Sequence, residues 1–226
     1  MCCVSEPEAN PEVPPLSPEE LELRKRLAAN PDKVLAEEFT AQNARFRRLV
    51  AFRLDPMAAT RVDPDDVLQE AWMACSQRLS SFFTTEGMTF FVWMRLIVLQ
   101  TIIDVHRRHL GAKMRDAFRE VPIEGDRSRD TSQAIARQLL GGITSPSEAL
   151  MKAETARKLE SAIEGMEPID REILALRHFE ELTNSEVAQV LGIQVKAASI
   201  RYIRALKRLK ELLGTLSTFL GKPRDA

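Results

Sequence analysis

The segment from Leu182 to Leu213 constrains the fold most, because signals for two helices and a tight turn follow one another in it without a gap. Thr183 and Glu186 have the spacing of a capping box, in which each side chain accepts a hydrogen bond from the other residue's amide. Gly192 follows the last apolar residue of the first helix, where a residue that tolerates positive φ ends a helix and turns the chain. The segment therefore predicts a short helix, a sharp turn and a second helix from about Gln194.

The second predicted helix carries two stripes of different character. Its apolar stripe recurs at the helical spacing i, i+4, i+7 and i+11, at Ala198, Tyr202, Ala205 and Leu209. A cationic stripe lies about a quarter turn away, at Arg201, Arg204 and Arg208. The stretch from Lys196 to Lys210 contains no acidic residue, whereas a solvating face usually mixes both signs. A helix of this kind suits the major groove of DNA, and the alternative is an ordinary helical hairpin with a solvated basic face.

Composition narrows the class of protein. At 226 residues and 44% hydrophobic, the chain is expected to form two small globular domains. Its formal net charge of -1 means that any affinity for nucleic acid comes from the distribution of charge. No uncharged apolar run approaches the roughly 20 residues that span a bilayer, and no secretion signal is recognisable. We therefore expect a cytoplasmic protein without membrane insertion. Cys2, Cys3 and Cys75 form neither a disulfide framework nor a metal-binding pattern.

Helical periodicity and helix breaks predict an all-α fold of two small helical domains joined by a flexible linker. The Pro- and Glu-rich start is expected to be a tail, and the Gly-containing polar stretch before Ser147 is expected to be the linker. The predicted divisions are a tail at 1–18, an N-terminal domain at 19–118, a linker at 119–147, a helix-turn-helix domain at 148–214 and a second tail at 215–226.

A helix with an acidic edge is predicted to start at Asp63. This residue is a good N-cap, and Pro64 follows it at the first helical position. The apolar positions that follow repeat at spacings of three and four, which leaves Asp65, Asp66, Gln69 and Glu70 on the exposed side. From spacing alone, this edge is a solvated surface.

The next segment joins aromatic residues to a basic helix end. Ser80–Thr89 is predicted to be a polar loop that carries Phe82 and Phe83, and Phe90–His109 is predicted to be a helix buried on most of its circumference. Basic residues at its end beside exposed aromatics are typical of surfaces that hold single-stranded nucleic acid.

The two histidines at the end of this helix, His106 and His109, could be imagined as metal ligands together with Asp104. Arg107 and Arg108 lie between them and oppose a bound cation, so no metal site is predicted. Both histidines are expected to face solvent or to contact phosphate.

With these pieces in order, the chain resembles an extracytoplasmic-function (ECF) sigma factor of bacterial RNA polymerase over about residues 30–214. The segment DPDDVLQEAW, Asp63–Trp72, is similar to the family's D-x-E-D-L-V-Q-E-x-F. In the family this segment binds the clamp of the largest polymerase subunit. The resemblance implies the same role for the acidic edge, at Asp65, Asp66, Gln69 and Glu70.

The family's next motif, F-x-x-W-L-x-x-I followed by N-x-x-I-D-x-x-R, is matched at Phe90, Trp93, Met94, Ile97, Ile103, Asp104 and Arg107. Gln100 stands at the family's asparagine position, and the family's arginine is shifted to Arg95. In the family this helix and the loop before it engage the downstream promoter element and capture an unstacked base of the non-template strand. The resemblance implies that role for Phe82, Phe83, Arg95, Gln100, Asp104, Arg107 and Arg108.

The C-terminal part resembles the family's helix-turn-helix, which reads the upstream promoter element in the duplex major groove. The match includes Leu182, Glu186, Val187, Ala188, Leu191, Gly192, Arg201, Arg204, Ala205 and Leu209. Ala197 and Ala198 replace the family's usual Thr-Val pair. The DNA contacts that follow from the resemblance are Thr183, Lys196, Ala197, Ser199, Ile200, Arg201, Arg204, Lys207 and Arg208.

The predicted function is that of a sigma factor, which binds core RNA polymerase, recognises promoter DNA as duplex and as single strand, and promotes strand opening without catalysis or a cofactor. An anti-sigma protein is a further partner that the resemblance allows. Two alternatives remain open. One is a stand-alone helix-turn-helix regulator that binds a symmetric operator. The other is a helical hydrolase that uses Asp104, His106 and His109.

Overall fold

The structure is a computed structural model that describes residues 16–85, 87–109, 128–140 and 149–219, and all regular elements within these ranges are helical. The predicted all-α fold is confirmed. The helices are α1 Pro18–Ala29, α2 Pro31–Ala41, α3 Asn43–Arg53, α4 Pro56–Ala59, α5 Pro64–Thr84, α6 Phe90–His109, α7 Ser128–Leu140, α8 Ala149–Glu164, α9 Pro168–Leu174 with a π-helical extension Ala175–Phe179, α10 Asn184–Leu191 and α11 Val195–Phe219. None of the helices in these ranges is long and apolar enough to cross a membrane.

Side-chain caps and prolines set several helix starts. Ser17, Asp55 and Asp63 each accept a hydrogen bond from an amide in the first turn of α1, α4 and α5, and a proline follows each of them directly. Because the first amides of a helix have no partner within it, each cap satisfies a group that would otherwise be unbonded. The predicted start of α5 at Asp63 is confirmed, with 2.8 Å between its Oδ1 and the amide of Asp65.

The N-terminal domain is built on the contact of α5 with α6, and α2 and α3 pack against this pair. Its core is dense in aromatic rings. Phe39 and Phe46 lie 4.9 Å apart by ring centroid, and Phe82 contacts Phe90 at 4.8 Å and Trp93 at 5.6 Å. Such aromatic pairs stabilise the fold beyond the contribution of the apolar surface that they bury.

The predicted linker contains a helix, which the sequence prediction missed. Helix α7 spans Ser128–Leu140 and buries Ala134, Ile135 and Ala136 against the C-terminal domain, where α7 packs on α8 and α9. Residues 110–127 and 141–148 lie outside the described residues, as do 1–15 and 220–226 of the predicted tails. At the other end, α11 continues to Phe219, beyond the predicted domain end at 214.

The two halves of the chain share a core. Phe52, at the end of α3, stacks on Phe179 with 5.1 Å between ring centroids and 10° between planes. Phe52 belongs to the same apolar cluster as Leu159, Ile163 and Leu174 of the C-terminal domain. The N-terminal domain therefore contributes a side chain to the core of its neighbour.

A buried ion-pair network lies beside this aromatic contact. Glu180 follows the π-helical extension, and 1% of its surface is exposed. Its Oε2 accepts hydrogen bonds from Nε and Nη2 of Arg95 at 2.8 and 2.6 Å, and its Oε1 accepts from Nε of Arg53 at 2.8 Å. Arg53 also donates to Glu172 at 2.6 Å and to the hydroxyl of Thr131 at 2.9 Å. Helices α3 and α6 are thus joined to α9 and α7 by largely buried charged and polar groups.

The charges of the network balance within it. Burial opposes ionisation of Glu172, but the charge and hydrogen bonds of Arg53 outweigh that effect and lower the pKa of the carboxyl. Removing one member of a buried pair leaves an uncompensated charge away from water, which costs much more than the pair's net contribution.

His106 has a structural role that corrects the sequence prediction. The residue is 6% exposed, and its Nε2 accepts a hydrogen bond from the amide of Asp55 at 3.0 Å. Burial lowers the pKa of His106, the carboxylate of Asp55 opposes this shift, and the guanidinium of Arg137 adds to it. His106 is therefore a neutral acceptor inside the fold and does not face solvent. Within the described residues, no cluster of ligating side chains could hold a metal ion.

We expect Glu180→Gln to destabilise the protein by about 3–5 kcal/mol, because Arg95 then stays buried without a carboxylate. Urea unfolding should be followed by tryptophan fluorescence, which reports on Trp72 and Trp93 of the N-terminal domain, and by far-ultraviolet circular dichroism, which reports on both domains. The matched control is Glu181→Gln at the next residue. Glu181 pairs with Arg48 on the surface, so its change should stay within about 0.5 kcal/mol. Equal unfolding midpoints for the two variants would contradict the role of the network.

We expect stability to fall as the pH drops from 7 towards 5, in part because of His106. Its pKa in the folded chain lies below the unfolded value of about 6.5, so the unfolded state takes up the proton first. His106→Gln keeps an acceptor for the amide of Asp55 and does not titrate, so urea midpoints at pH 7, 6 and 5 should fall less steeply for this variant. An unchanged slope in His106→Gln would disprove the assignment.

Candidate nucleic-acid interface

The helix-turn-helix forms as the sequence predicts. The hydroxyl of Thr183 accepts a hydrogen bond from the amide of Glu186 at 3.2 Å, and the carboxylate of Glu186 accepts one from the amide of Thr183 at 2.7 Å. Gly192 ends α10 in the left-handed region with φ 62°, and α11 begins at Val195. The capping box, the glycine turn and the second helix are all confirmed.

Helix α11 lies with its predicted apolar stripe against α9 and α10. Ala198 and Ala205 are fully buried, and Leu209 is nearly so. The small side chains of Ala198 and Ala205 let the backbone of α11 approach its neighbours closely. The opposite side of the helix faces away from the domain, with Lys196, Ile200, Ile203 and Lys207 exposed along it.

The predicted upstream contacts differ in how accessible they are. The exposed ones are Thr183, Lys196, Ile200, Arg201, Arg204, Lys207 and Arg208, and the partly buried ones are Ala197 and Ser199. Two of the exposed residues already have partners in the fold. The guanidinium of Arg208 pairs with the buried carboxylate of Asp170 on α9, and Thr183 is held in its capping box. The accessible cations Lys196, Arg204 and Lys207 are therefore the ones best placed for phosphates.

Helix α10 is docked on the N-terminal domain through its polar side. Arg45 of α3 donates to both carboxylate oxygens of Glu186, at 3.0 and 2.7 Å, and its guanidinium lies 3.6 Å from the ring centroid of Phe91. Burial disfavours the charge on Glu186, but hydrogen bonds from Arg45 and from the amide of Thr183 outweigh it and lower the pKa of that carboxyl. Gln189 accepts from both the amide and the hydroxyl of Thr89 at the start of α6, at 3.1 and 2.9 Å.

The aromatic pair expected in a loop lies on a helix. Helix α5 continues to Thr84, so Phe82 and Phe83 occupy its last turn. Phe82 is fully buried among Phe90 and Trp93, which corrects the prediction that it stacks on a base. Phe83 is 42% exposed and remains available for stacking.

Arg95 is the second correction among the predicted downstream contacts. It is 1% exposed and bound to Glu180, so it cannot reach DNA in this arrangement of the domains. Gln100 donates to Asp104 at 3.1 Å on the partly exposed side of α6, and Arg107 pairs with the same carboxylate at 3.5 Å. The side chain of His109 and the basic residues Lys113, Arg115 and Arg119 lie outside the described residues.

The acidic edge of α5 is on the surface, as predicted. All four of its residues, Asp65, Asp66, Gln69 and Glu70, are exposed. The two at its ends form surface ion pairs, Asp65 with Arg47 at 2.7 Å and Glu70 with Arg108 at 2.5 Å. Arg108 thereby links the end of α6 to this edge, a contact between residues 38 positions apart that the sequence pattern did not indicate.

Comparison with known proteins gives a family match for the C-terminal domain. Residues 156–209, from within α8 to Leu209 of α11, match the family model described as "Sigma-70, region 4". No curated protein sequence matches the chain at a significant level. Among solved structures, the chain is similar to "Structure of CnrH in complex with the cytosolic domain of CnrY", with 18% identity, a TM-score of 0.47, and coverage of 88% of this chain and 99% of that one.

Proposed function

We propose, from the match of residues 156–209 to the sigma-70 region 4 family, that this chain acts as an ECF-type sigma subunit of bacterial RNA polymerase. In this role it binds core polymerase, directs it to promoters and assists strand opening, and it works in the cytoplasm with the polymerase. The observation that carries the proposal is the outward, acid-free basic side of α11 within a domain that matches region 4.

The upstream element is bound by α11 in the major groove. Lys196, Arg204 and Lys207 neutralise phosphates, which gives affinity that falls steeply with salt. Arg201 is exposed near the start of the helix, where its planar fork suits bidentate contact with a guanine edge. Phosphate contacts set the register of the helix, and base contacts supply the preference for sequence.

The N-terminal domain supplies the contacts with polymerase and with the opened strand. The exposed acidic edge, centred on Asp66 and Gln69, binds a basic surface of the clamp. Phe83 stacks on an unpaired base, while Gln100 and Arg107 on the exposed side of α6 contact the same strand.

Run-off transcription tests the proposal. Bacterial core polymerase is incubated with the full chain and with a fragment library of the genome that encodes it, and new transcripts are mapped. The proposal is supported if new transcripts require the added chain and if the same upstream and downstream promoter elements precede their start sites. Tight binding to a symmetric duplex without core polymerase, together with no new transcripts, would instead support a stand-alone regulator.

We expect variants of the two domains to fail at different steps. Asp66→Asn combined with Glu70→Gln should weaken binding to core polymerase in a competition assay, because two charges leave the acidic edge. Arg201→Ala should leave polymerase binding intact and cost about 1–3 kcal/mol at one base pair of the upstream element.

Glu22→Gln serves as the matched control, since Glu22 is an exposed carboxylate that pairs with Lys25 on α1 and belongs to neither proposed surface. This variant should bind core polymerase and promoter DNA as the wild type does. The proposed division of roles is wrong if Arg201→Ala reduces polymerase binding or if the acidic-edge variant binds core polymerase normally.

A further inference from the structure

Two isoleucines lie in the middle of the outward side of α11. Ile200 is 42% exposed and Ile203 is 65% exposed, the largest exposure among the large hydrophobic residues of the described ranges. We propose that Ile200 and Ile203 read thymine methyl groups in the major groove of the upstream element. This inference rests on the proposed function and adds to it the class of base that the helix selects.

The geometry of the helix places both residues opposite the core. Lys196, Ile200, Ile203 and Lys207 follow the spacing i, i+4, i+7 and i+11, which keeps them in one stripe. The buried stripe, Ala198, Tyr202, Ala205 and Leu209, has the same spacing and starts two residues later. Two residues correspond to about 200° around an α-helix, so the first stripe points away from the domain.

The charges around the isoleucines identify the occupant as DNA. Lysines flank the pair at both ends of the stripe, and Arg204 is exposed beside it. The nearest acidic residue along α11 is Glu211, beyond Lys210. An apolar pair between cations is complementary to a groove whose walls are phosphates and whose floor carries thymine methyl groups among polar base edges.

The chemistry of the side chain then selects the base. Isoleucine has neither a donor nor an acceptor, so it cannot pair with the polar edges of guanine, adenine or cytosine. The C5 methyl of thymine is the apolar group that a base pair presents in the major groove. Contact with it removes apolar surface from water on both sides, while a polar edge opposite isoleucine would lose its hydrogen bonds to water.

The sequence analysis included Ile200 among the DNA contacts but omitted Ile203. The predicted apolar stripe already places Ile203 on the outward side of α11, but the sequence prediction selected its cationic neighbours Arg201 and Arg204 instead. The exposure of Ile203 follows from burial of Ala198 and Ala205, which fixes the rotation of α11 on the domain.

Removal of single methyl groups from the DNA tests the proposal with the unmodified protein. Holoenzyme made from core polymerase and the full chain is used to select duplexes from a pool with a randomised upstream segment. Each thymidine of the selected sequence is then replaced by deoxyuridine, which lacks the methyl group and keeps the hydrogen bonds. We expect a loss of about fourfold in affinity at one or two thymines, the factor that corresponds to burial of one methyl group.

Variants assign the effect to a side chain. Ile203→Ala should bind the selected duplex more weakly and should no longer distinguish thymine from uracil at one position. Leu213→Ala, at a residue of the same helix that is 37% exposed and lies outside the outward stripe, should retain the discrimination. Lys207→Ala should weaken binding to all sequences alike and reduce the dependence on salt.

The outcomes separate this inference from the proposed function. If binding is sequence-specific but deoxyuridine has no effect at any thymine position, the proposed recognition of thymine methyl groups by isoleucine is wrong. The sigma-factor role is then left intact. Retained discrimination in both Ile200→Ala and Ile203→Ala overturns the assignment as well. Absence of any sequence-specific binding by the holoenzyme overturns both proposals together.

Discussion

The relation between the two domains depends on the burial of Glu180 between two arginines. Arg53 and Arg95 belong to helices of the N-terminal domain, and neither has access to enough water to be solvated as an ion. Glu172 supplies the second carboxylate, so two positive and two negative charges lie together inside the protein. Such a set is stable while it is complete, since its members exchange water for charged hydrogen bonds of short length. Phe52 stacks on Phe179 beside this network and adds an apolar contact between the same two domains.

The local backbone explains how Glu180 reaches this position. The π-helical extension of α9 ends with a hydrogen bond from the amide of Glu180 to the carbonyl of Ala175 at 2.9 Å, and Glu181 follows with φ 57°. A positive φ is costly for a residue with a side chain and persists where surrounding structure fixes it. The turn reverses the chain directly before the cap of α10, so one short segment both directs Glu180 inward and sets the entry to the helix-turn-helix.

Local signals in the sequence were sufficient for most of the helices but not for the contacts between them. The capping box at Thr183 and the cap at Asp63 involve residues two or three positions apart, and both were predicted correctly. The pair of Arg95 and Glu180 joins residues 85 positions apart, and no periodicity indicates it. The aromatic pair differs from this case, because Phe82 lies three residues after Leu79 and continues the buried stripe of α5. That signal was missed since the segment was predicted to be a loop. Helix α7 was missed because its short apolar patch lies between glycine-containing polar stretches that resemble a linker.

The rotation of α11 shows how buried residues determine which side chains the helix exposes. The sequence indicated Arg201, Arg204 and Arg208 as the cationic stripe, yet Arg208 lies close enough to α9 to pair with Asp170. Ala198 and Ala205 permit this close approach, because a larger side chain at either position would push α11 outward or rotate it. Ile200 and Ile203 consequently point away from the domain. Each lies one position before a residue of the cationic stripe that the sequence indicated. In the proposed complex with DNA, these two buried alanines therefore influence base preference through the packing of the helix that carries the proposed contacts.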